Sequence, residues 1–151
     1  MRPLTWALAL VLLLTGCGIP RDPDGTLERV QSSGVLRAAA SPAEGSVAVD
    51  GDDVTGPEVE LVEGFAESLG AEVEWHVMGE EPAVDAMERG EVDLLVGGLT
   101  DQSPYAPKVG MTRPYAESVD HGEATKHVMA VPMGENAMQS ALERYLDGAA
   151  R

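Results

Sequence analysis

The chain has 151 residues and a formal net charge of −16 at pH 7, from 26 Asp and Glu residues against 10 Lys and Arg residues. Such an acidic surface repels nucleic acid and anionic headgroups, so we expect no nucleic-acid partner. A single cysteine in the sequence excludes an internal disulfide and a thiolate metal centre. The length suits one compact domain with a substantial core.

The first 17 residues have the layout of a bacterial export signal. Arg2 precedes an apolar run over residues 4–14, and residues 14–17 read Leu-Thr-Gly-Cys. The run is too short to span a bilayer comfortably. Residues 14–17 resemble the lipobox of bacterial lipoproteins, which implies cleavage before Cys17 and attachment of lipid to its sulfur.

This N-terminus predicts where the protein works and how the chain is divided. We expect a signal peptide over residues 1–16, a lipidated tether over 17–25 and a domain over 26–150. The lipid would anchor the protein to a membrane outside the cytoplasm, facing the periplasm or the cell surface.

The predicted elements of the domain alternate between helix and strand. Patterns of apolar residues and of Gly and Pro breakers predict the following order: a helix over 26–33, a strand over 35–40, a loop over 41–56, a helix from Pro57 to Gly70, a strand over 71–78, a helix from Pro82 to Gly90, and a strand over 92–96. Residues 101–125 look irregular, and residues 127–131 predict a further strand. A last helix follows Gly134, and Gly148 lies past its predicted end.

This order defines a β-α-β-α-β unit with a parallel sheet and right-handed crossovers. We therefore predict an α/β fold of three layers, with a mostly parallel sheet of about four to five strands. Residues 97–100, Gly-Gly-Leu-Thr, follow the third strand of the unit. Ligands of open α/β sheets bind just beyond such carboxyl ends.

Several segments in order resemble the bacterial extracellular solute-binding proteins of the amino-acid type, which are the receptors of ABC importers. The matching stretches are Leu27–Val30, Gly34–Arg37, Gly56–Leu61 with Phe65–Gly70, Gly90–Thr100 and Met111–Tyr115. The resemblance implies two lobes around a cleft, with the second lobe inserted after Tyr115. Residues 116–125 cannot hold a domain. The chain therefore resembles a solute-binding protein reduced to its first lobe, a periplasmic-binding-protein-like lobe.

The resemblance also points to four candidate ligand-binding residues. Gly98 and Thr100 fall on positions that bind the amino group of the ligand in the family, although a glycine turn with a capping threonine explains them equally well. The family's carboxylate-binding arginine falls on Tyr105, with Lys108 nearby. Glu58, at the start of the first long helix, completes the set.

Other chemistry has little support in the sequence. His121 and His127 flank Glu123, and a cation site there is conceivable, but the spacing fits no standard zinc pattern. Residues 50–53, Asp-Gly-Asp-Asp, favour a solvated turn over a calcium loop. We predict no metal, no cofactor and no enzymatic activity.

Two functions follow as expectations. The first is a lipid-anchored receptor that binds a small polar solute weakly through a half-cleft, for transport or sensing, with an ABC permease, another envelope protein or a second copy of the chain as partner. The second is an accessory or interaction lipoprotein that kept the scaffold and lost ligand binding. The missing arginine favours the second function, and the retained Gly98-Leu99-Thr100 favours the first.

Overall fold

The computed structural model describes residues 22–120 and 122–149. The predicted signal peptide, Cys17 and His121 lie outside these residues. The helices are α1 Thr26–Ser33, α2 Pro57–Ser68, α3 Glu80–Glu88 and α4 Asn136–Ala149. The strands are β1 Val35–Ala40, β2 Ala48–Asp50, β3 Asp53–Thr55, β4 Glu72–Val77, β5 Leu94–Val96, β6 Val109–Met111, β7 Ala116–Asp120, β8 Glu123–His127 and β9 Ala130–Pro132.

The central sheet has five strands in the order β4-β1-β5-β9-β6. Strand β1 pairs in parallel with both β4 and β5, as the β-α-β-α-β order predicts. Strand β9, which follows β7 and β8 in the chain, runs antiparallel to both of its neighbours in the sheet, β5 and β6. The predicted mostly parallel α/β sheet is confirmed.

Helices cover both faces of this sheet and give the three predicted layers. Helices α1, α2 and α4 share one core with β1, and α3 shares a second core with the other face. The first core is centred on large buried side chains: Val30, Leu36, Val62, Phe65, Leu94, Met129, Met138 and Leu142. The second core includes Ala83, Val84, Met87, Val92, Leu95 and Leu99. Burial of these apolar surfaces is the main stabilising contribution.

A buried glutamate fastens the start of the described chain to the domain. The Glu135 carboxylate is 1% exposed and accepts hydrogen bonds from the backbone N–H groups of Asp24, at 2.8 Å, and Thr26, at 2.7 Å. The Asp22 N–H donates to the Gly134 carbonyl at 3.2 Å. Residues 22–25, the described part of the predicted tether, are therefore hydrogen-bonded to the segment before α4. The boundary between tether and domain at residue 26 stays a prediction.

A buried aspartate fixes the entry to β5. Asp93 is 1% exposed and its carboxylate accepts bonds from the Arg37 backbone N–H at 3.0 Å and from the Arg37 guanidinium at 2.6 and 3.1 Å. Arg29 of α1 pairs with the same carboxylate. Hydrogen bonding to Asp93 raises the pKa of Arg37. These bonds link α1, β1 and β5 near the amino-terminal end of β5, away from the carboxyl ends of the strands.

Three predicted element boundaries are wrong. The predicted loop over 41–56 contains the hairpin β2–β3, in which Val49 pairs with Val54 and both pack on the first core. Helix α3 begins at Glu80 and takes Pro82 within its first turn, where proline's missing N–H costs nothing. Helix α4 runs to Ala149, so Gly148 lies inside it.

The segment over residues 101–125 also contains structure that the sequence pattern missed. It holds β6 and β7, and β7 pairs with β8 in a separate two-stranded hairpin. The predicted strand over 127–131 is divided, because His127 ends β8 and Ala130 begins β9. Short strands with exposed polar side chains lack the apolar alternation that identifies a strand in sequence.

Within residues 22–120 and 122–149, no helix is long and apolar enough to cross a membrane.

Candidate functional site

The candidate site lies at the carboxyl ends of β1 and β5, beside the first turn of α2. Strand β5 ends at Val96, and Gly97 turns the chain with φ 144°, a conformation that side-chain-bearing residues rarely adopt. A Cβ atom at Gly97 would overlap the carbonyl oxygen of Ser41, which follows β1. Glycine is therefore required where the two strand ends approach each other.

The side chain of Glu58 holds this region together. One carboxylate oxygen, Oε2, accepts hydrogen bonds from the backbone N–H groups of Gly97, at 2.8 Å, and Gly98, at 3.1 Å. The other oxygen, Oε1, accepts a bond from the Tyr115 hydroxyl at 2.6 Å. Glu58 is only 3% exposed, so it shapes the site by fixing the glycine loop and Tyr115 rather than by presenting a free charge.

Tyr115 directly precedes β7, the first strand of the β7–β8 hairpin. Burial, the nearby Glu58 charge and the hydrogen bond to Glu58 together raise the pKa of Tyr115 far above its usual value. Its hydroxyl therefore stays protonated and acts as a donor to Glu58 throughout the physiological pH range.

An open depression of about 300 Å³ lies against this network. Its floor and walls combine the loop after β1, the first turns of α2 and the base of the hairpin. The lining residues are Glu44, Gly45, Ser46, Pro57, Glu58, Leu61, Tyr115, Ala116, Ser118 and His127. We call this the Glu58 depression. It has room for a small solute, and it offers apolar walls with a few polar groups, as small-molecule sites do.

Two of the candidate residues come together here and the other two do not. Gly98 contacts Glu58 through its N–H and lies near Ser46. Thr100 lines a separate, polar depression of about 490 Å³ with Asp101, Gln102 and Glu123. Its hydroxyl accepts a bond from the Gln102 N–H at 3.3 Å, which is the local turn contact of a capping threonine.

Tyr105 and Lys108 point to a different part of the lobe. Tyr105 packs against the second core, as Met78 and Met111 do. The Lys108 ammonium lies 3.6 Å from Asp85 and 3.5 Å from Glu88, both on α3. Neither residue lines the Glu58 depression. A ligand contact by Tyr105 stays a prediction.

Sequence reasoning missed two residues of the Glu58 depression. The Ser118 hydroxyl and the His127 Nε2 atom are 2.8 Å apart, one on β7 and the other on β8. The sequence pattern predicts that His127 begins a strand and makes a cation site with His121 conceivable, and it gives no signal for Ser118. Only the register of the hairpin brings the two side chains together. Among residues 22–120 and 122–149, no group of three or more His, Cys, Asp or Glu side chains is arranged to hold a metal ion.

Comparison with known proteins defines the class. Residues 36–150 match the model of the bacterial extracellular solute-binding proteins, family 3, and the chain belongs to this family. It is 32% identical over 109 residues to the membrane-bound lytic murein transglycosylase F of Vibrio vulnificus (strain YJ016), and 36% identical over 102 residues to transglycosylase F 2 of Alkalilimnicola ehrlichii. These matches cover 72% and 64% of this chain but only 20% and 23% of the relatives.

Solved structures identify the part of the family fold that is present. Domain 1 of TmArgBP, in its arginine-bound form, superposes with a TM-score of 0.71 at 20% identity, covering 80% of this chain and 97% of that domain. An ancestral cationic amino acid solute-binding protein gives a TM-score of 0.73 at 13% identity, with 83% and 96% coverage. The fold is therefore that of a single periplasmic-binding-protein lobe, in which the β7–β8 hairpin spans residues 116–127.

Proposed function

We propose that this protein is a lipid-anchored receptor outside the cytoplasm, and that it binds a small polar solute in the Glu58 depression. The observation that carries the proposal is the network of Glu58, Gly97, Gly98 and Tyr115, which preforms a solute-sized depression at the carboxyl ends of the strands. Membership of the solute-binding family supports binding rather than catalysis.

A single lobe can hold a ligand in this family. The structure of domain 1 of TmArgBP is described as arginine-bound, and that domain covers the same single lobe. The open site here gains less from each polar contact than a closed cleft does, because water competes for the same groups. We therefore expect weak binding. A high solute concentration would be needed to occupy the site, unless a partner protein completes it.

The charge around the depression favours a solute that carries an ammonium or guanidinium group. Glu44 is exposed and lines the depression, whereas the Lys108 ammonium pairs with acidic side chains of α3. The arginine in the solved domain and the cationic amino acids named for the ancestral protein are solutes of this kind. We take L-arginine as the first probe.

The test is a titration of the purified full-length chain with L-arginine, followed by calorimetry and by the thermal unfolding midpoint. Binding to the native state raises that midpoint in a saturable way. Glu44→Gln should weaken binding because it removes the exposed negative charge at the rim. Glu63→Gln is the matched control, since Glu63 is an exposed residue of α2 outside the depression. Equal loss in both variants, or no binding by the wild type, would contradict the proposal.

A second candidate function is an accessory or interaction lipoprotein without ligand binding. The observation in its favour is that Tyr105 and Lys108 lie outside the depression, so a carboxylate-binding arginine has no replacement from that loop. In that case an ABC permease, another envelope protein or a second copy would contact the exposed hairpin. Sedimentation of the purified chain distinguishes self-association, which gives a concentration-dependent mass, from a monomer.

The relation to transglycosylase F concerns only the solute-binding part. The chain spans about a fifth of those relatives' length. We propose that this protein has no glycan-cleaving activity of its own, and an assay of murein release by the purified chain tests this.

A further inference from the structure

The lining of the Glu58 depression combines two kinds of polar side chain. Glu44 contributes an exposed carboxylate, while Ser118 and His127 contribute a hydroxyl and an imidazole from the hairpin. We propose that Ser118 and His127 form the anion-binding half of the site and bind the carboxylate of the solute. This inference rests on the proposed function, because it assigns the second half of the same site.

The hairpin holds both side chains in place. Ala116 pairs with His127 and Ser118 pairs with Thr125, so Ser118 and His127 are diagonal neighbours on one face of the hairpin. The Tyr115 N–H donates to the His127 carbonyl at 3.0 Å, and His127 also forms a bridge to Thr100. These contacts attach the His127 backbone to the lobe on two sides, and the 2.8 Å contact with Ser118 positions its imidazole, which limits the conformational entropy lost on binding.

The pair can serve a carboxylate without a fixed positive charge. The Ser118 hydroxyl has one proton to donate and can accept a bond from the His127 Nε2–H at the same time. With a solute present, the hydroxyl proton points at the carboxylate and the imidazole N–H points at the hydroxyl oxygen. Hydrogen bonds to an ionised acceptor are about twice as strong as neutral ones. This arrangement requires a proton on the His127 Nε2 atom.

The pair supplies what Tyr105 and Lys108 do not. Tyr105 packs on the second core and Lys108 pairs with Asp85 of α3, so neither side chain offers a donor to the depression. A zwitterionic solute with its ammonium near Glu44 also needs donors for its carboxylate. Ser118 and His127 lie in the same lining, on the two strands of the hairpin.

The experiment compares amino acids with the amines that lack only the carboxylate. The probes are L-arginine with agmatine, L-lysine with cadaverine and L-histidine with histamine, each titrated into the full-length chain by calorimetry. Ser118→Ala should weaken binding of the amino acid roughly tenfold and leave the matching amine unchanged. Ser118→Thr keeps the hydroxyl and should restore most of the affinity. Val119→Ala is the control, because Val119 is 71% exposed and its side chain alternates to the other face of β7.

Each outcome either supports or overturns the assignment of Ser118 and His127 to the carboxylate of the solute. If Ser118→Ala weakens amino acid and amine equally, or weakens neither, the assignment is overturned while solute binding itself stands. If Val119→Ala has the same effect as Ser118→Ala, the loss comes from the hairpin and not from the hydroxyl, which also overturns it. If the wild type binds no member of the panel, the proposed solute function fails and this inference fails with it.

Discussion

At the scale of single residues, buried carboxylates organise this lobe. Glu58, Asp93 and Glu135 are each 1–3% exposed, and each accepts several hydrogen bonds from parts of the chain that are distant in sequence. A buried charge is stable only when such donors surround it. Glu58 and Glu135 are bound mostly by backbone N–H groups, so each fixes a turn or a helix start. Asp93 is bound mainly by the guanidinium groups of Arg29 and Arg37.

Replacing Glu58 tests the network that shapes the depression. Glu58→Gln leaves one acceptor oxygen for three donors and turns an amide N–H₂ towards them. We expect it to destabilise the fold by about 1–3 kcal/mol, the usual cost of leaving buried donors unpaired. Urea unfolding followed by tryptophan fluorescence measures this free energy. Tyr115→Phe removes a single partner of Glu58 and should cost less, and a loss in Tyr115→Phe equal to that in Glu58→Gln would contradict the assignment.

The glycine at the end of β5 gives a second prediction at this scale. Gly97→Ala places a Cβ against the Ser41 carbonyl at a positive φ, whereas Gly90→Ala has a positive φ with no atom within 4 Å. The first substitution should be the more destabilising, because only it adds a collision to about 1 kcal/mol or more of backbone strain. Thermal unfolding of the two variants makes the comparison. Equal midpoints would show that the approach of the two strand ends is looser than described.

At the scale of elements, the lobe is closed by contacts between its late segments and its last helix. Arg113, between β6 and β7, donates from its backbone N–H to Glu143 at 2.8 Å and from its guanidinium to Glu143 and Asp147 at 3.0 and 2.9 Å. Although burial alone would raise the pKa of Glu143, the hydrogen bonds from Arg113 outweigh it and lower that pKa. These hydrogen bonds attach α4 to the segment between β6 and β7, which leads into the β7–β8 hairpin.

The lowered pKa of Glu143 predicts a dependence on acid. A carboxylate with a depressed folded-state pKa stabilises the protein above its unfolded pKa, and this contribution is lost as the pH falls through the folded-state pKa. Glu143→Gln should therefore lower the free energy of unfolding at neutral pH. The difference from wild type should shrink as the pH falls below the usual glutamate pKa of 4.5 and disappear below the lowered folded-state pKa. Denaturant unfolding across this pH range provides the measurement. Glu63→Gln, on the exposed face of α2, serves as the control, and a constant difference for Glu143→Gln at all pH values would contradict the prediction.

At the scale of the whole molecule, the β7–β8 hairpin forms a small sheet of its own beside the central sheet. Within the described residues, β7 and β8 pair with each other and otherwise form one bridge, between His127 and Thr100, and most of their side chains are exposed. The Glu58 depression, beside the carboxyl ends of β1 and β5, is open to solvent. This openness makes weak and rapidly exchanging binding the natural mode for a solute.

The attachment of the protein to a membrane is a prediction of the N-terminal sequence. If Cys17 carries lipid, the mature wild-type chain should enter the membrane fraction and show the mass of a diacylated or triacylated cysteine. Cys17→Ala should abolish both the added mass and the membrane association, because one cysteine supplies the attachment point. Fractionation with intact mass spectrometry tests this. An unmodified mature chain, or membrane association unchanged in Cys17→Ala, would refute the anchor.

The amino-acid sequence alone determined the four helices, the parallel strands β1, β4 and β5, and the family. These depend on local periodicity, on Gly and Pro breakers and on motif order, and all of them can be read from neighbouring residues. The β7–β8 hairpin escaped this reasoning because its strands are short and polar. Only the tertiary structure decided that Glu58 is buried and hydrogen-bonded to the glycine loop and Tyr115, that Tyr105 packs on the second core, and that Ser118 contacts His127. Those facts depend on contacts between distant segments, such as Glu58 with Tyr115 across 57 residues, which no local pattern encodes.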